Sequence, residues 1–104
     1  MDHPRLSASQ AVSQYLYLTA TEKYPDVHPS QAVGQWLCDL QGSGKIADAM
    51  ITELRNHLPS KDEGFFANGT LDDAVHSFAM NLLVAPAKVS TAQLRELLAA
   101  LKTV

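Results

Sequence analysis

Apolar residues recur every three or four positions in five separate segments of the chain, which is the spacing of one buried helix face. The clearest segment has an apolar face made of Ala32, Val33, Trp36, Leu37 and Leu40. Three later segments share this spacing: Ile46, Met50, Leu54 and Leu58; Leu71, Val75, Phe78 and Leu82; and Leu94, Leu97, Leu98 and Leu101. No segment alternates apolar and polar residues long enough to predict a strand. The sequence therefore predicts an all-α protein, a compact bundle of about five short helices.

Capping residues predict where the first and last helices begin. Ser7 with Gln10, and Ser90 with Gln93, have the spacing of a capping box, in which the two side chains satisfy unpaired N–H groups of the first turn. We therefore expect the first helix to run from Ser7 to about Lys23 and the fifth helix to begin at Ser90.

Proline and glycine predict the ends of the middle helices. Pro29 suits the first position of the second helix, because its missing N–H would be unpaired there. Gly42 is placed to end that helix in a left-handed cap. We expect the third helix to span residues 44–58 with Ser43 as its cap, and the fourth to open at Thr70.

Length and composition predict a single helical domain over residues 1–104. Within it, residues 1–6 are expected to form a flexible N-terminus and residues 59–69 the longest loop. With 46% apolar residues, the chain can bury a core without a disulfide or a metal ion.

Charge and cysteine content bear on partners and compartment. The 8 basic and 11 acidic residues give a net charge of −3, which disfavours general binding to nucleic acid because phosphate is repelled. Cys38 is the single cysteine, which fits a reducing compartment. The N-terminal residues include no apolar signal region, and no apolar run is long enough to span a membrane. We expect a cytoplasmic protein that does not contact a membrane.

The residues that could carry chemistry do not form a recognisable site. Asp72 with His76, and Glu53 with His57, each place two metal ligands on one helix face, but a metal site needs more ligands than two. Cys38 lies inside the second helix, where a free cysteine usually acts as a small apolar core residue. We therefore expect no catalytic residues, no metal site, no cofactor and no enzymatic activity.

Two octapeptides resemble each other. Residues 9–16 read SQAVSQYL and residues 30–37 read SQAVGQWL, with Tyr15 in the first at the position of Trp36 in the second. The similarity indicates either an internal duplication or the residue types that many helix N-termini share. Neither interpretation is excluded by the sequence.

Five aromatic residues are the candidates for binding another protein, because interface hot spots favour large aromatic side chains. They are Tyr15, Tyr17, Trp36, Phe65 and Phe66. Tyr15 and Tyr17 lie on different faces of the first helix, so both cannot enter one core, and Tyr17 is expected outside. Trp36 belongs to an apolar stripe and is expected in the core. Phe65 and Phe66 are adjacent in a polar loop, where they either anchor the loop or form an exposed patch.

A DNA-binding function is the main alternative, since a glycine-containing turn joins the second and third helices as in a helix-turn-helix motif. The third segment offers Lys45, Arg55 and Asn56 to a DNA groove, but also carries Asp48 and Glu53. Sequence-specific binding to nucleic acid is therefore the weaker hypothesis. A structural or accessory helical protein is a further alternative.

The stretch from residue 19 to residue 41, TATEKYPDVHPSQAVGQWLCDLQ, together with the overall length, resembles the QslA-type small anti-activators of LuxR-type quorum-sensing regulators. The resemblance implies a cytoplasmic homodimer that docks on the ligand-binding domain of a transcription factor. It would occupy the surface through which the factor dimerises and so prevent DNA binding. No residue role can be transferred from that family by position.

Overall fold

A computed structural model describes residues 4–58, 71–84 and 89–103, and these residues form helices without any strand. The helices are α1 (Pro4–Lys23), α2 (Pro29–Ser43), α3 (Asp48–Asn56), α4 (Leu71–Val84) and α5 (Thr91–Thr103). The prediction of an all-α bundle of about five short helices is confirmed.

The longest helix, α1, is the centre of the bundle and packs against α2, α4 and α5. It runs antiparallel to α4. The Ser13 hydroxyl donates a hydrogen bond to the Val75 carbonyl at 2.5 Å, and Arg5 Nε, two turns nearer the N-terminus, donates to the Leu83 carbonyl at 2.9 Å. The Arg5 guanidinium thus satisfies carbonyls at the C-terminal end of α4, where a positive charge also complements the helix dipole.

All five helices contribute to one continuous core. Its largest fully buried side chains are Tyr17 and Phe78, and Trp36 is only 3% exposed, as its apolar stripe predicted. The remaining core is mostly aliphatic: Val12, Leu16, Val33, Leu37, Leu40, Ile46, Ile51, Leu54, Leu82, Val89, Leu94, Leu97 and Leu101. Every apolar stripe that the sequence predicts therefore places residues in this core.

Two predicted helix starts are confirmed, that of α5 by its hydrogen bonds and that of α2 by its position. At the start of α5, the Ser90 N–H donates to Gln93 Oε1 at 2.8 Å, and the Gln93 N–H donates to Ser90 Oγ at 3.1 Å. This is the predicted capping box. Helix α2 begins at Pro29, as expected. The described part of α4 starts at Leu71, and the expected start at Thr70 lies outside the described residues.

The predicted start of α1 is wrong. The helix begins at Pro4, so Ser7 is an exposed residue of its first turn and does not cap it. Residues 4–6, expected to be flexible, are helical. Proline is favourable at the first position of a helix, and the hydrogen bonds of Arg5 to α4 tie this extra turn to the bundle.

The turn between α2 and α3 also differs from the prediction. Gly42 lies inside α2, which continues to Ser43, and the left-handed cap is Gly44 with φ of 70°. Because Gly44 ends α2, it cannot begin the next helix. Helix α3 therefore starts later than predicted, at Asp48, and ends at Asn56.

Candidate protein-binding surface

Helix α1 carries apolar side chains on two faces. One face enters the core. The other consists of Ala11, Tyr15 and Leu18, which follow one another at helical spacing of four and three residues. Ala11 and Tyr15 are half-buried, whereas Leu18 is 48% exposed. A large aliphatic side chain exposed to that extent lies beside other apolar residues, so this face of α1 is a candidate contact surface.

The second face of α1 and the adjoining side of α5 form an open groove. Its volume is about 420 Å³, and we call it the α1–α5 groove. Its lining is mainly apolar and consists of Ala11, Gln14, Tyr15, Leu18, Thr19, Leu98 and Lys102. Sequence reasoning found only Tyr15 among these as a binding candidate. The regular spacing of Ala11, Tyr15 and Leu18 was the signal that could have identified the rest of the α1 side.

Trp36 holds Tyr15 in place at this groove. The ring centroids are 6.3 Å apart, and the planes are inclined at 41°. Because Trp36 is buried and Tyr15 is half-buried, the indole supports the Tyr15 ring from the core side. A side chain held by packing in this way loses little conformational freedom when a partner binds. Two of the candidate aromatic residues are therefore in contact, Tyr15 at the groove and Trp36 beneath it in the core.

The expectation that Tyr17 faces outward is wrong, because its side chain is completely buried. Its ring packs against Phe78 with centroids 5.7 Å apart. Ser13 and Ala20, one turn before and one turn after Tyr17, are buried on the same face of α1. Burial raises the pKa of Tyr17 to about 12. Tyr17 belongs to the core and is not available to a partner.

Phe65 and Phe66 lie outside the described residues, as does the predicted loop of residues 59–69. Their proposed part in binding stays a prediction.

Cys38 is exposed, which corrects the expectation that it is a core residue. It lies on the polar side of α2, and Arg55 Nη2 approaches its sulfur to 2.8 Å from α3. The next residue, Asp39, accepts a hydrogen bond at its carboxylate from the Tyr24 hydroxyl. That bond raises the pKa of Tyr24, because it favours the protonated hydroxyl and a phenolate would be repelled by the carboxylate.

The residue pairs considered for metal binding stay isolated. Glu53 and His57 approach each other to 3.8 Å on α3, and Asp72 and His76 line a separate groove of about 250 Å³ between α1 and α4. In the three described stretches, no group of three or more histidine, cysteine or carboxylate side chains could hold a metal ion.

The helix-turn-helix alternative depends on the residues of α3. Arg55 is exposed, but its guanidinium contacts Cys38 of the preceding helix. Asp48 is exposed and Glu53 half-exposed on the same helix, where they would repel phosphate. This charge pattern makes α3 a poor recognition helix.

No protein-family model, no curated protein and no solved structure matches this chain. Among the helices described above, none is both long enough and apolar enough to cross a membrane.

Proposed function

We propose that this chain is a non-enzymatic regulator that binds another protein through the α1–α5 groove. The observation that supports the proposal is the second apolar face of α1, which lines an open groove and on which Leu18 is 48% exposed. A protein partner would remove this face from water. Full burial of an exposed leucine contributes about 1.5–3 kcal/mol, and Leu18, which is 48% exposed, would contribute about half of that. Tyr15, fixed against Trp36, adds an aromatic anchor beside it.

The resemblance found in residues 19–41 supplies the class of partner, the ligand-binding domain of a LuxR-type transcription factor. Transcription factors commonly bind DNA as dimers, in which each subunit contacts one half-site. A protein that occupies the dimerisation surface of such a factor leaves it with a single half-site contact and much weaker DNA binding. We propose this steric occlusion, in the cytoplasm, as the anti-activator mechanism of the chain.

The test measures the size of complexes formed with the purified ligand-binding domain of a LuxR-type regulator, by sedimentation or light scattering. The expected result is that the wild-type chain converts dimers of that domain into mixed complexes. Leu18→Glu should lose this ability, since it places a charge on the apolar face. Met80→Glu is the matched control, because Met80 is 38% exposed on α4 outside the groove.

Two results would contradict the proposal. The domain could stay dimeric at a several-fold excess of the wild-type chain, or Leu18→Glu could act as well as wild type. Circular dichroism of each variant shows whether the bundle is intact.

The proposed mechanism includes a homodimer of the chain itself, which the same resemblance implies. Sedimentation equilibrium of the isolated protein at tens of micromolar tests this part separately. A strict monomer would remove the homodimer from the proposal and leave the groove as the binding surface.

A further inference from the structure

We infer that the α1–α5 groove takes an amphipathic α-helix of the partner, with a carboxylate side chain placed to meet Lys102. The inference rests on the proposed function, because it specifies what occupies the same surface.

The dimensions of the groove fit a helix. Its lining on α1 runs from Ala11 to Thr19, which corresponds to about 12 Å along the helix axis, or a little more than two turns. Two neighbouring helices with an apolar trough between them are the usual receptor for a helix that presents residues at positions i, i+3 or i+4, and i+7. An added β-strand would instead need an open sheet edge, and the described residues contain no strand.

The charge of the groove specifies the partner further. Lys102 is the one charged residue among its lining residues, and it is exposed at the last turn of α5. Within the described part of the chain, no side-chain carboxylate lies within 4.0 Å of its ammonium group. A positive charge beside an apolar trough favours a helix that carries Asp or Glu next to its apolar residues.

The remaining polar lining residues are compatible with this geometry. Gln14 and Thr19 can each donate and accept hydrogen bonds, so they favour neither sign of charge. The preference for an acidic helix therefore depends on Lys102 alone. An exposed ion pair contributes little to affinity, but it selects among partners and speeds their encounter.

The test is a selection from a phage library that displays a fixed helical scaffold with one randomised face, using the whole chain as bait. Ligands that also bind Leu18→Glu are removed by counter-selection. We expect the enriched helices to carry apolar residues at i, i+3 or i+4, and i+7, together with Asp or Glu beside them. A parallel selection against Lys102→Glu should enrich Lys or Arg at the acidic position.

One enriched helix then serves as a labelled peptide in fluorescence anisotropy. Lys102→Glu should weaken binding of the acidic peptide at least about fivefold, and replacing its carboxylate by lysine should restore binding to that variant. Met80→Glu should bind the acidic peptide like wild type, since Met80 does not line the groove.

Several outcomes would overturn the inference: no enrichment, enriched ligands without helical apolar spacing, or ligands without a charge preference that follows residue 102. A wild-type dimer that Leu18→Glu converts to a monomer would show that a second copy occupies the groove, which also overturns it. The proposed function is judged independently. Wild type could bind the transcription-factor domain, with binding abolished by Leu18→Glu but unchanged by Lys102→Glu. That result would support the proposed regulator and contradict the acidic helix.

Discussion

Tyr15 of α1 and Trp36 of α2 hold the same position in the two related octapeptides, and their rings contact each other at 6.3 Å between centroids. Leu16 and its counterpart Leu37 are both completely buried, whereas Tyr15 is half-buried and Trp36 is buried. The packing of the two segments is therefore alike only in part. The contact between the two rings joins α1 to α2 and positions Tyr15 at the groove.

Alanine substitution at the two glycines near the end of α2 should change the free energy of unfolding in opposite directions. Gly44→Ala is expected to lower the free energy of unfolding by about 1–2 kcal/mol, because a Cβ disfavours φ of 70°. Gly42→Ala should raise it, by up to about 1 kcal/mol, because Gly42 is helical. Nothing lies within 4 Å of a Cβ at either position, so steric clashes do not complicate the comparison. Urea unfolding measures both, and equal effects would contradict the assignment of Gly44 as the cap.

Replacing the serines of the two predicted capping boxes should change the free energy of unfolding by different amounts. Ser90→Ala is expected to cost about 1 kcal/mol, because the Gln93 N–H loses its hydrogen-bond acceptor at the start of α5. Ser7→Ala should change stability by no more than about 0.5 kcal/mol, since Ser7 is exposed within α1. A large loss at Ser7 would indicate that α1 begins there after all.

The buried hydroxyl of Tyr17 predicts that the folded protein loses stability at high pH. Its pKa is raised from 10.0 to about 12 in the folded protein, so folding favours the protonated hydroxyl. This contribution is fully present below pH 10.0 and is lost as the pH rises through about 12, for a total of roughly 3 kcal/mol. The measurement is the difference in unfolding free energy between wild type and Tyr17→Phe across this range. The difference should shift steadily against wild type, and a constant difference would contradict the burial of the hydroxyl.

The exposure of Cys38 predicts ready chemical modification. A thiol reagent such as Ellman's reagent should modify one thiol per chain in the native protein, before any denaturant is added. Cys38→Ser is the control and should give no signal. Reaction that required denaturant would place the cysteine in the core, as the sequence first suggested.

The sequence predicted the helical class and the core residues well, because both follow from the periodic spacing of apolar side chains. It failed where the orientation of one residue depends on its neighbours in space. Tyr17 enters the core, where its ring packs against Phe78 of α4, and Cys38 stays outside although the adjacent Leu37 is buried. For the cap of α2 the chain offered two glycines, and only the structure distinguishes Gly42 from Gly44.

The candidate site was harder to predict than the fold for a related reason. Tyr15 was recognised as an aromatic anchor, but the groove beside it also needs Leu98 and Lys102, more than eighty residues further along the chain. Their proximity to α1 arises from tertiary packing, which periodicity alone does not specify.

Helix α1 supports the core with one face and lines the groove with the other, so occupancy of the groove and integrity of the bundle are thermodynamically linked. Any molecule that binds only the folded groove draws the folding equilibrium toward the native state, by about 2.7 kcal/mol when it is present at a hundred times its Kd. If the proposed partner binds there, the chain should persist longer in a cell that contains this partner than in one that lacks it, and its abundance should follow that of the partner.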